Sequence, residues 1–274
     1  MCLIAFAIGT HPDLPLLLAG NRDEFFDRPT DALHRWPDRP GVWAGRDRRD
    51  GGTWLGLAEN GRVAMLTNVR SPHPGPGARS RGELATRWLH GETAPDRFAA
   101  DLNPEAYGGF NLVVGDLRTQ TWTWLCNRDP AAPHHDTAAQ LHRQDLAPGV
   151  YGLSNAVLDT PWPKAKRLTA ALRSALPAAT RSVDWSQPLQ AALADDQPAL
   201  LDELPVTGVD VEAEQIPFPS GKKHDRLAES GEIPLDRQGH GDAVHRHDVI
   251  TVKGVDVAAI VVEAEWHRRD EQDR

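Results

Sequence analysis

Cysteine stands at position 2, at the start of an apolar run that reads as a β-strand from Cys2 to Ile8. Aminopeptidases usually remove an initiator Met when the second residue is small, so the mature chain would begin with Cys2. An α-amine has a reference pKa of about 8 and can accept the thiol proton, which produces the nucleophilic thiolate. Position 2 therefore predicts a catalytic thiol with its own base. The alternative interpretation is a small apolar residue in a buried strand.

A turn-rich connector joins this run to a second apolar run, Leu14–Gly20. Charged residues follow the second run directly. If the two runs pair as antiparallel strands, Arg22 and Asp23 lie beside Cys2. A guanidinium there would favour the thiolate, and a carboxylate would hold and orient the α-amine. The alternative is a turn whose polar side chains make local hydrogen bonds and surface ion pairs.

The predicted elements that position these residues are, in order along the chain, several hairpins, then helices, and finally one strand. The apolar patterns predict strands at Thr53–Ala58 and Arg62–Thr67, joined by an Asn-Gly turn, at Phe110–Gly115 and Thr121–Cys126, at 151–155, and at Val255–Ala264. They predict helices at Ser80–His90, from Pro161 to about Leu176, at Pro188–Ala194 and at Pro198–Leu204. This order is typical of an α+β fold in which helices cover sheets.

Length and composition limit the classes of protein and of binding partner that fit this chain. The 274 residues are 40% hydrophobic and 25% charged, with a net charge of -9. An acidic chain argues against broad binding to nucleic acid or to anionic membranes, and no apolar run approaches a transmembrane segment. The start lacks the pattern of a signal peptide, and the two cysteines make no disulfide framework. We therefore expect a cytoplasmic protein.

The segment Asn21-Arg22-Asp23-Glu24 and the motifs around it together resemble the NRDE family, relatives of the transport-and-Golgi-organisation protein. The matching motifs occur in family order over about residues 1–212: Met1-Cys2, Ala19-Gly20, Arg28-Pro29, Gly51-Gly52-Thr53-Trp54-Leu55-Gly56, Leu66-Thr67-Asn68-Val69-Arg70, Ser80-Arg81-Gly82, Gly109-Phe110-Asn111-Leu112, Gly152-Leu153-Ser154-Asn155 and Leu204-Pro205-Val206-Thr207-Gly208-Val209.

This resemblance implies the four-layer αββα fold of N-terminal nucleophile hydrolases, in the branch of the choloylglycine and penicillin V amidases. Within it, Cys2 matches the nucleophile, and Arg22 and Asp23 match an active-site Arg and Asp. Asn68 matches an oxyanion-hole Asn, and Asn155 a further active-site Asn. The resemblance gives Asn21, Glu24 and Arg28 motif or structural roles.

Two functions remain open. The first is a cysteine amidohydrolase-like enzyme that acts on a small amide, thioester or ester and needs no cofactor. The second is a carrier or chaperone that binds haem, a lipid or an acyl-CoA in the same cleft without catalysis. Family resemblance suggests haem as a transported ligand, but the chain has no C-x-x-C-H attachment motif. The histidines lack the converging pattern of a metal site, so we expect none.

The C-terminal part departs from the family pattern. Residues 213–248 are rich in Gly, His and charged residues, as in the segment from His240 to Asp248, where the family has other motifs. A divergent C-terminus and a shifted reading frame both account for this. We predict one domain over residues 1–266, followed by a charged tail at 267–274.

Overall fold

The structure is a computed structural model, and it describes residues 2–25, 28–71, 77–134, 140–179, 186–195, 197, 199–200, 203, 248–252 and 255–266. For residues 23–25, 248–252 and 255–266 it describes the backbone alone. The predicted helix Pro198–Leu204 falls largely outside these residues, and so do the segment from 213 to 247 and the tail at 267–274.

Two β-sheets carry most of the described chain. The first has five strands in the order β10-β1-β2-β12-β11: β1 (Leu3–Ile8), β2 (Leu16–Phe25), β10 (Gly149–Leu153), β11 (Asp248–Val252) and β12 (Val255–Trp266). The second has seven strands in sequence order: β3 (Thr30–Arg35), β4 (Val42–Asp47), β5 (Leu55–Ala58), β6 (Arg62–Asn68), β7 (Phe110–Asp116), β8 (Thr121–Cys126) and β9 (His142–Asp145).

Helices cover the outer face of each sheet. Helices α3 (Pro163–Ala175) and α4 (Gln187–Leu193) pack on the first sheet. Helix α1 (Gly82–His90) packs on the second, with α2 (Pro95–Ala100) beside it in the same apolar cluster. The layer order is therefore αββα, and the predicted four-layer α+β fold is confirmed.

Alternation along β1 explains how one strand serves two cores. Ile4, Phe6 and Ile8 point into the apolar layer between the sheets, whereas Leu3 and Ala7 point toward the layer under α3 and α4. Successive side chains of a strand face opposite sides, so every position of β1 is buried. This parity turns position 2 toward the second sheet, and Cys2 does pack against the layer between the sheets.

The hairpin β5–β6 has the predicted Asn-Gly turn. Gly61 has a φ of +87°, and its N–H donates to the Ala58 carbonyl at 2.8 Å. The Asn60 side chain accepts from the Arg62 N–H at 3.0 Å. A left-handed φ is costly for residues other than glycine, which explains the position of Gly61.

The second strand is longer than predicted. The sequence placed residues 21–24 beyond a strand ending at Gly20, but β2 runs on to Phe25. The reason is a long-range one: β2 pairs in parallel with β12 from Leu16 opposite Val257 to Phe25 opposite Trp266. Strand β12 also exceeds the predicted Val255–Ala264 by two residues.

No helix among the described residues combines the length and apolar character needed to span a bilayer.

Candidate functional site

A cavity of about 500 Å³ opens at the ends of β1, β2 and β6. Its walls come from these strands, from the loop that precedes Trp54, and from the start of α1. Cys2, Arg22 and Asn68 all line it, so three of the five predicted site residues meet at one surface. Cavities of this size take small organic molecules.

Cys2 lies at the wall immediately before β1, with its side chain partly exposed. Its carbonyl oxygen accepts a hydrogen bond from the Ser154 Oγ at 3.0 Å. This bond comes from the end of β10, which pairs with β1 from Ile4 opposite Leu153 onward. Two neighbouring strands therefore position the Cys2 backbone at the cavity.

Arg22 lies opposite Cys2 in the register of the sheet, because Leu3 pairs with Asn21. Only 6% of Arg22 is exposed, and its Nη1 donates to the Thr30 Oγ1 at 3.0 Å. The predicted proximity of Arg22 and Cys2 at one end of the sheet is thus observed. A buried guanidinium at the wall adds positive charge in a place of low solvation.

The other residues of this motif are Asn21, Asp23 and Glu24. Asn21 is buried, and its Oδ1 accepts no hydrogen bond within the described part of the chain. Asp23 and Glu24 are described by backbone only, within β2. The predicted role of Asp23 in holding the α-amine stays a prediction.

Asn68 and Asn155 are joined but not equivalent. Asn68 ends β6 and is exposed at the cavity. Asn155 is buried behind it and donates from Nδ2 to the Asn68 carbonyl oxygen at 2.9 Å. The Asn155 Oδ1 accepts from the Ser154 Oγ at 3.2 Å. The Asn155 side chain therefore contacts the Asn68 segment directly and is linked to the Cys2 segment only through Ser154.

Asn111 supports the same segment from the second sheet. Its Nδ2 donates to the Ala156 carbonyl at 2.5 Å and to the Thr67 Oγ1 at 3.2 Å, and its Oδ1 accepts from the Trp124 Nε1 at 3.1 Å. It is fully buried, so these bonds satisfy groups that have no access to water. The motif around Asn111 thereby connects the sheets beneath the site.

A close approach of two glycines forms another part of the wall. The Thr53 N–H donates to the Gly82 carbonyl at 3.3 Å. A Cβ on Gly52 would lie 2.5 Å from the Gly82 carbonyl carbon. The motifs that contain Gly52 and Gly82 therefore meet, and only glycine permits the backbones to come this close.

Sequence reasoning missed the charged part of the wall. The sequence gives Arg28 a motif role but predicts no partner for it. In the structure Arg28 donates to Asp47 and to Asp50, at 2.6 Å each. Arg46 and Arg49 line the cavity beside these carboxylates. The dense run of charges between Gly45 and Gly51 was the available signal, but it reads equally well as an exposed turn.

Asp159 braces the strand that leads to Asn155. It has a φ of +57°, and its Oδ1 accepts from the Gly152 N–H at 2.7 Å. Burial raises the pKa of Asp159, opposed by the Gly152 N–H and by the charge of Arg173. A raised pKa means that the stability this group contributes is present below its ordinary pKa and is lost as pH rises through the folded value.

When the pH rises from about 4 to about 7, we therefore expect the unfolding free energy of the Asp159→Asn variant to fall less than that of the wild type. Asparagine keeps an acceptor for Gly152 and tolerates the left-handed backbone. Urea unfolding at the two pH values measures this difference. A variant with the same pH dependence as the wild type contradicts the assignment.

Cys126 is the second thiol and provides an internal comparison. It is fully buried, and desolvation raises the pKa of its thiol to about 11. We expect iodoacetamide at neutral pH to leave Cys126 unmodified in the folded protein and to modify it after denaturation. Peptide mapping checks this, and rapid labelling of Cys126 in the native protein would be the contrary result.

The described residues contain no group of three or more His, Cys, Asp or Glu side chains arranged to hold a metal ion.

Comparison with known proteins gives a consistent family. The family model described as Transport and Golgi organisation 2 matches residues 1–246. The Transport and Golgi organization protein 2 homologs of Bos taurus and Homo sapiens are each 36% identical over 173 residues, which is 60% of this chain and 60% of each relative. The Drosophila melanogaster Transport and Golgi organization protein 2 is 33% identical over 184 residues, 61% of this chain and 62% of that protein. The matched segment thus spans about 60% of the length of these relatives.

Two solved structures are similar at low identity. A Caenorhabditis elegans ortholog of N-acylethanolamine-hydrolyzing acid amidase has a TM-score of 0.45 and 9% identity, covering 71% of this chain and 86% of that one. Penicillin V acylase from Agrobacterium tumefaciens has a TM-score of 0.29 and 11% identity, covering 70% of this chain and 56% of that one.

Proposed function

The chain belongs to the Transport and Golgi organisation 2 family, and from that premise we propose that it is an N-terminal-cysteine hydrolase acting on a small acylated substrate, an amide, a thioester or an ester. The observation that carries the proposal is the position of Cys2. Its side chain lies at the wall of a cavity of about 500 Å³, together with Arg22 and Asn68. A thiol buried only for packing needs neither an opening nor polar neighbours.

The proposed first step is acyl transfer to Cys2. After removal of Met1, the α-amine takes the thiol proton, and the thiolate attacks the carbonyl carbon. A carbon–sulfur bond forms, and the carbonyl oxygen becomes an oxyanion. Asn68, at the exposed end of β6, supplies the Nδ2 donor for that oxygen. The carbon–heteroatom bond then breaks, and the ammonium returns its proton to the leaving nitrogen, sulfur or oxygen.

The proposed second step is hydrolysis of the acyl-enzyme. The α-amine takes a proton from water, and the resulting hydroxide attacks the thioester carbonyl. The carbon–sulfur bond breaks, which releases the carboxylic acid and the Cys2 thiolate, and the ammonium returns its proton to the thiolate. Asn155 assists as a positioning residue, because its Nδ2 holds the Asn68 carbonyl at 2.9 Å. This reaction uses no cofactor.

The composition of the wall favours a small polar acyl group. Among the residues that the structure describes, the apolar side chains that line the cavity beside Cys2 are Trp54, Leu66 and Ala78, and most of the remaining described lining is polar, charged or glycine. A long acyl chain or a haem macrocycle needs a larger apolar surface than these three side chains offer. Reversible carriage of haem, a lipid or an acyl-CoA without catalysis is the competing account.

Trapping the acyl-enzyme tests the proposal. The protein is mixed with acetyl thioesters and nitrophenyl acetate, quenched in acid, and measured by intact mass spectrometry and peptide mapping. We expect one acetyl group on the N-terminal peptide and none on the peptide that contains Cys126. Binding of haem or acyl-CoA that is unchanged in Cys2→Ala, with no acylation of the wild type, would support the carrier instead.

A further inference from the structure

Trp54 is the largest apolar side chain in the described wall of the cavity that contains Cys2. Only 8% of Trp54 is exposed, although the residue lines the cavity. Most of the indole is therefore held by packing, and the remainder forms a firm apolar surface at the site.

The orientation of Trp54 departs from the alternation of β5. Leu55 and Leu57 belong to the apolar cluster between the sheets, so regular alternation would place Trp54 on the opposite face. Trp54 nevertheless belongs to the same cluster. The chain bends at this residue, and the Thr53 Oγ1 spans the bend by donating to the Leu55 carbonyl at 2.9 Å. The bend turns the indole toward the first sheet.

Gly20 provides the space that the indole occupies. A Cβ on Gly20 would lie 3.3 Å from the Trp54 Cη2 and 3.4 Å from the Leu3 carbonyl oxygen. Gly20 is paired with Ile4, which points into the layer between the sheets. The end of the indole therefore rests over β2 at a position that has no side chain.

Cys2 is a neighbour of that position on the same face of the sheet. The pairing of Leu3 with Asn21 continues to place Cys2 opposite Arg22, two residues beyond Gly20. Diagonal neighbours of this kind are separated by roughly 7–8 Å on one face of an antiparallel pair. The register therefore seats the indole next to the nucleophile, and Cys2 packs against the same apolar cluster.

Hydrogen bonds fix the backbone that carries the indole. The Trp54 carbonyl accepts from the Leu66 N–H at 2.7 Å. The Thr53 Oγ1 bridges the residue from one side to the other, since it also accepts from the Leu55 N–H at 3.4 Å. A buried ring on a fixed backbone cannot swing aside for a bulky ligand without a loss of packing.

The acyl part of the substrate is the part that must fit beside this ring. In the acyl-enzyme the carbonyl carbon is bonded to the Cys2 Sγ, whereas the leaving group has departed. We propose that Trp54 is a specificity-determining residue, whose indole, seated over Gly20, bounds the acyl side of the cavity and restricts the reaction to short acyl groups. This inference rests on the proposed function and adds the class of acyl group.

The first arm of the test measures the space beside Cys2 without any hydrolysis. Cys2 is alkylated with iodoacetamide and with N-hexyl iodoacetamide at about pH 8.5, where an ordinary thiol is half ionised. Peptide mapping gives both rates for the folded protein and for the chain unfolded in urea. We expect the iodoacetamide-to-hexyl rate ratio to be about 10-fold higher in the folded protein. A ratio equal to that of the unfolded chain overturns the proposal.

The variants Trp54→Phe and Trp54→Leu shorten the side chain and keep it apolar. Trp122→Leu is the matched control, because Trp122 belongs to the same apolar cluster, is 4% exposed and is not among the described residues of the cavity wall. We expect the raised ratio to fall in Trp54→Phe, to fall further in Trp54→Leu, and to persist in the control. Trp54→Phe keeps more of the buried surface and carries the test if Trp54→Leu does not fold. A ratio that is unchanged in the Trp54 variants, or equally lowered in the control, overturns the role of Trp54.

The second arm measures kcat/KM for the N-acetylcysteamine thioesters of acetate, butanoate and hexanoate. We expect the wild type to prefer the acetyl over the hexanoyl thioester by at least about 10-fold, and Trp54→Leu to reduce this preference by at least about 10-fold. The ratio for two substrates does not depend on the fraction of enzyme that is folded, so a loss of stability alone leaves it unchanged.

The two arms separate this inference from the proposed function. Equal turnover of the three thioesters by the wild type overturns the role of Trp54 and leaves the hydrolase standing. Length-dependent alkylation that is lost in the Trp54 variants, with no turnover of any thioester, keeps Trp54 as the boundary of the cavity and overturns the hydrolase.

Discussion

Cys2→Ala is expected to lower kcat/KM for acyl substrates by at least about 10³-fold and to leave folding nearly unchanged. Alanine lacks the nucleophile, and no other thiol lines the cavity. The Ser154 hydroxyl binds the backbone carbonyl at position 2, so that bond survives the substitution. Because the Cys2 side chain is partly exposed, we expect the unfolding free energy to change by less than about 1 kcal/mol. Steady-state kinetics and urea unfolding measure the two effects.

Cys126→Ala is the matched control for loss of a thiol. Cys126 lies in the apolar layer between the sheets, away from the cavity wall. We expect this variant to keep turnover and to lose about 1 kcal/mol of stability through a small cavity. Undiminished turnover in Cys2→Ala would remove Cys2 from the mechanism.

Gly52→Ala is expected to damage both the fold and the site. The new Cβ would lie 2.5 Å from the Gly82 carbonyl carbon and 2.8 Å from its Cα and oxygen. These are backbone atoms at the first residue of α1, so no flexible side chain can move away. We expect a loss of about 3 kcal/mol in unfolding free energy and at least a 10-fold loss in kcat/KM, because the cavity wall must shift.

Gly51→Ala separates this contact from a simple loss of glycine. A Cβ on Gly51 meets nothing within 4 Å, but the residue has a φ of +73°. We expect a cost of about 1 kcal/mol from the left-handed backbone alone, with turnover retained. If Gly52→Ala were no worse than Gly51→Ala in either measurement, the close approach to Gly82 would not constrain the wall.

The parts of the fold set by local patterns were predictable. The apolar run of β1, the Asn-Gly turn before Arg62 and the helical spacing around Trp88 each depend on neighbouring residues, and all three are observed. Which face position 2 presents could not be predicted from that run, because every residue of β1 is apolar and buried.

Elements stabilised by distant partners were not predictable in the same way. Strand β3 is half-exposed and contains Asp31 and His34 around a register shift, so it shows no clean alternation. Strand β9 is a short, polar strand at the sheet edge. The extension of β2 to Phe25 depends on β12, more than 200 residues later in the chain.

The site shows the same division. Cys2, Arg22 and Asn68 could be brought together from strand ends and resemblance, and they share one wall. The burial of Asn155 behind Asn68 could not be predicted, because it depends on how the end of β10 packs under β6. The role of Arg28 likewise depends on the folding of the loop that contains Asp47 and Asp50.

The most direct test of the account is intact mass spectrometry of the purified protein, followed by timed alkylation with iodoacetamide at neutral pH. We expect Met1 to be absent and a single adduct to form rapidly on Cys2, while buried Cys126 stays unmodified. A retained Met1 would leave Cys2 without its base. That result, or a Cys2 as slow to react as Cys126, would contradict the N-terminal nucleophile.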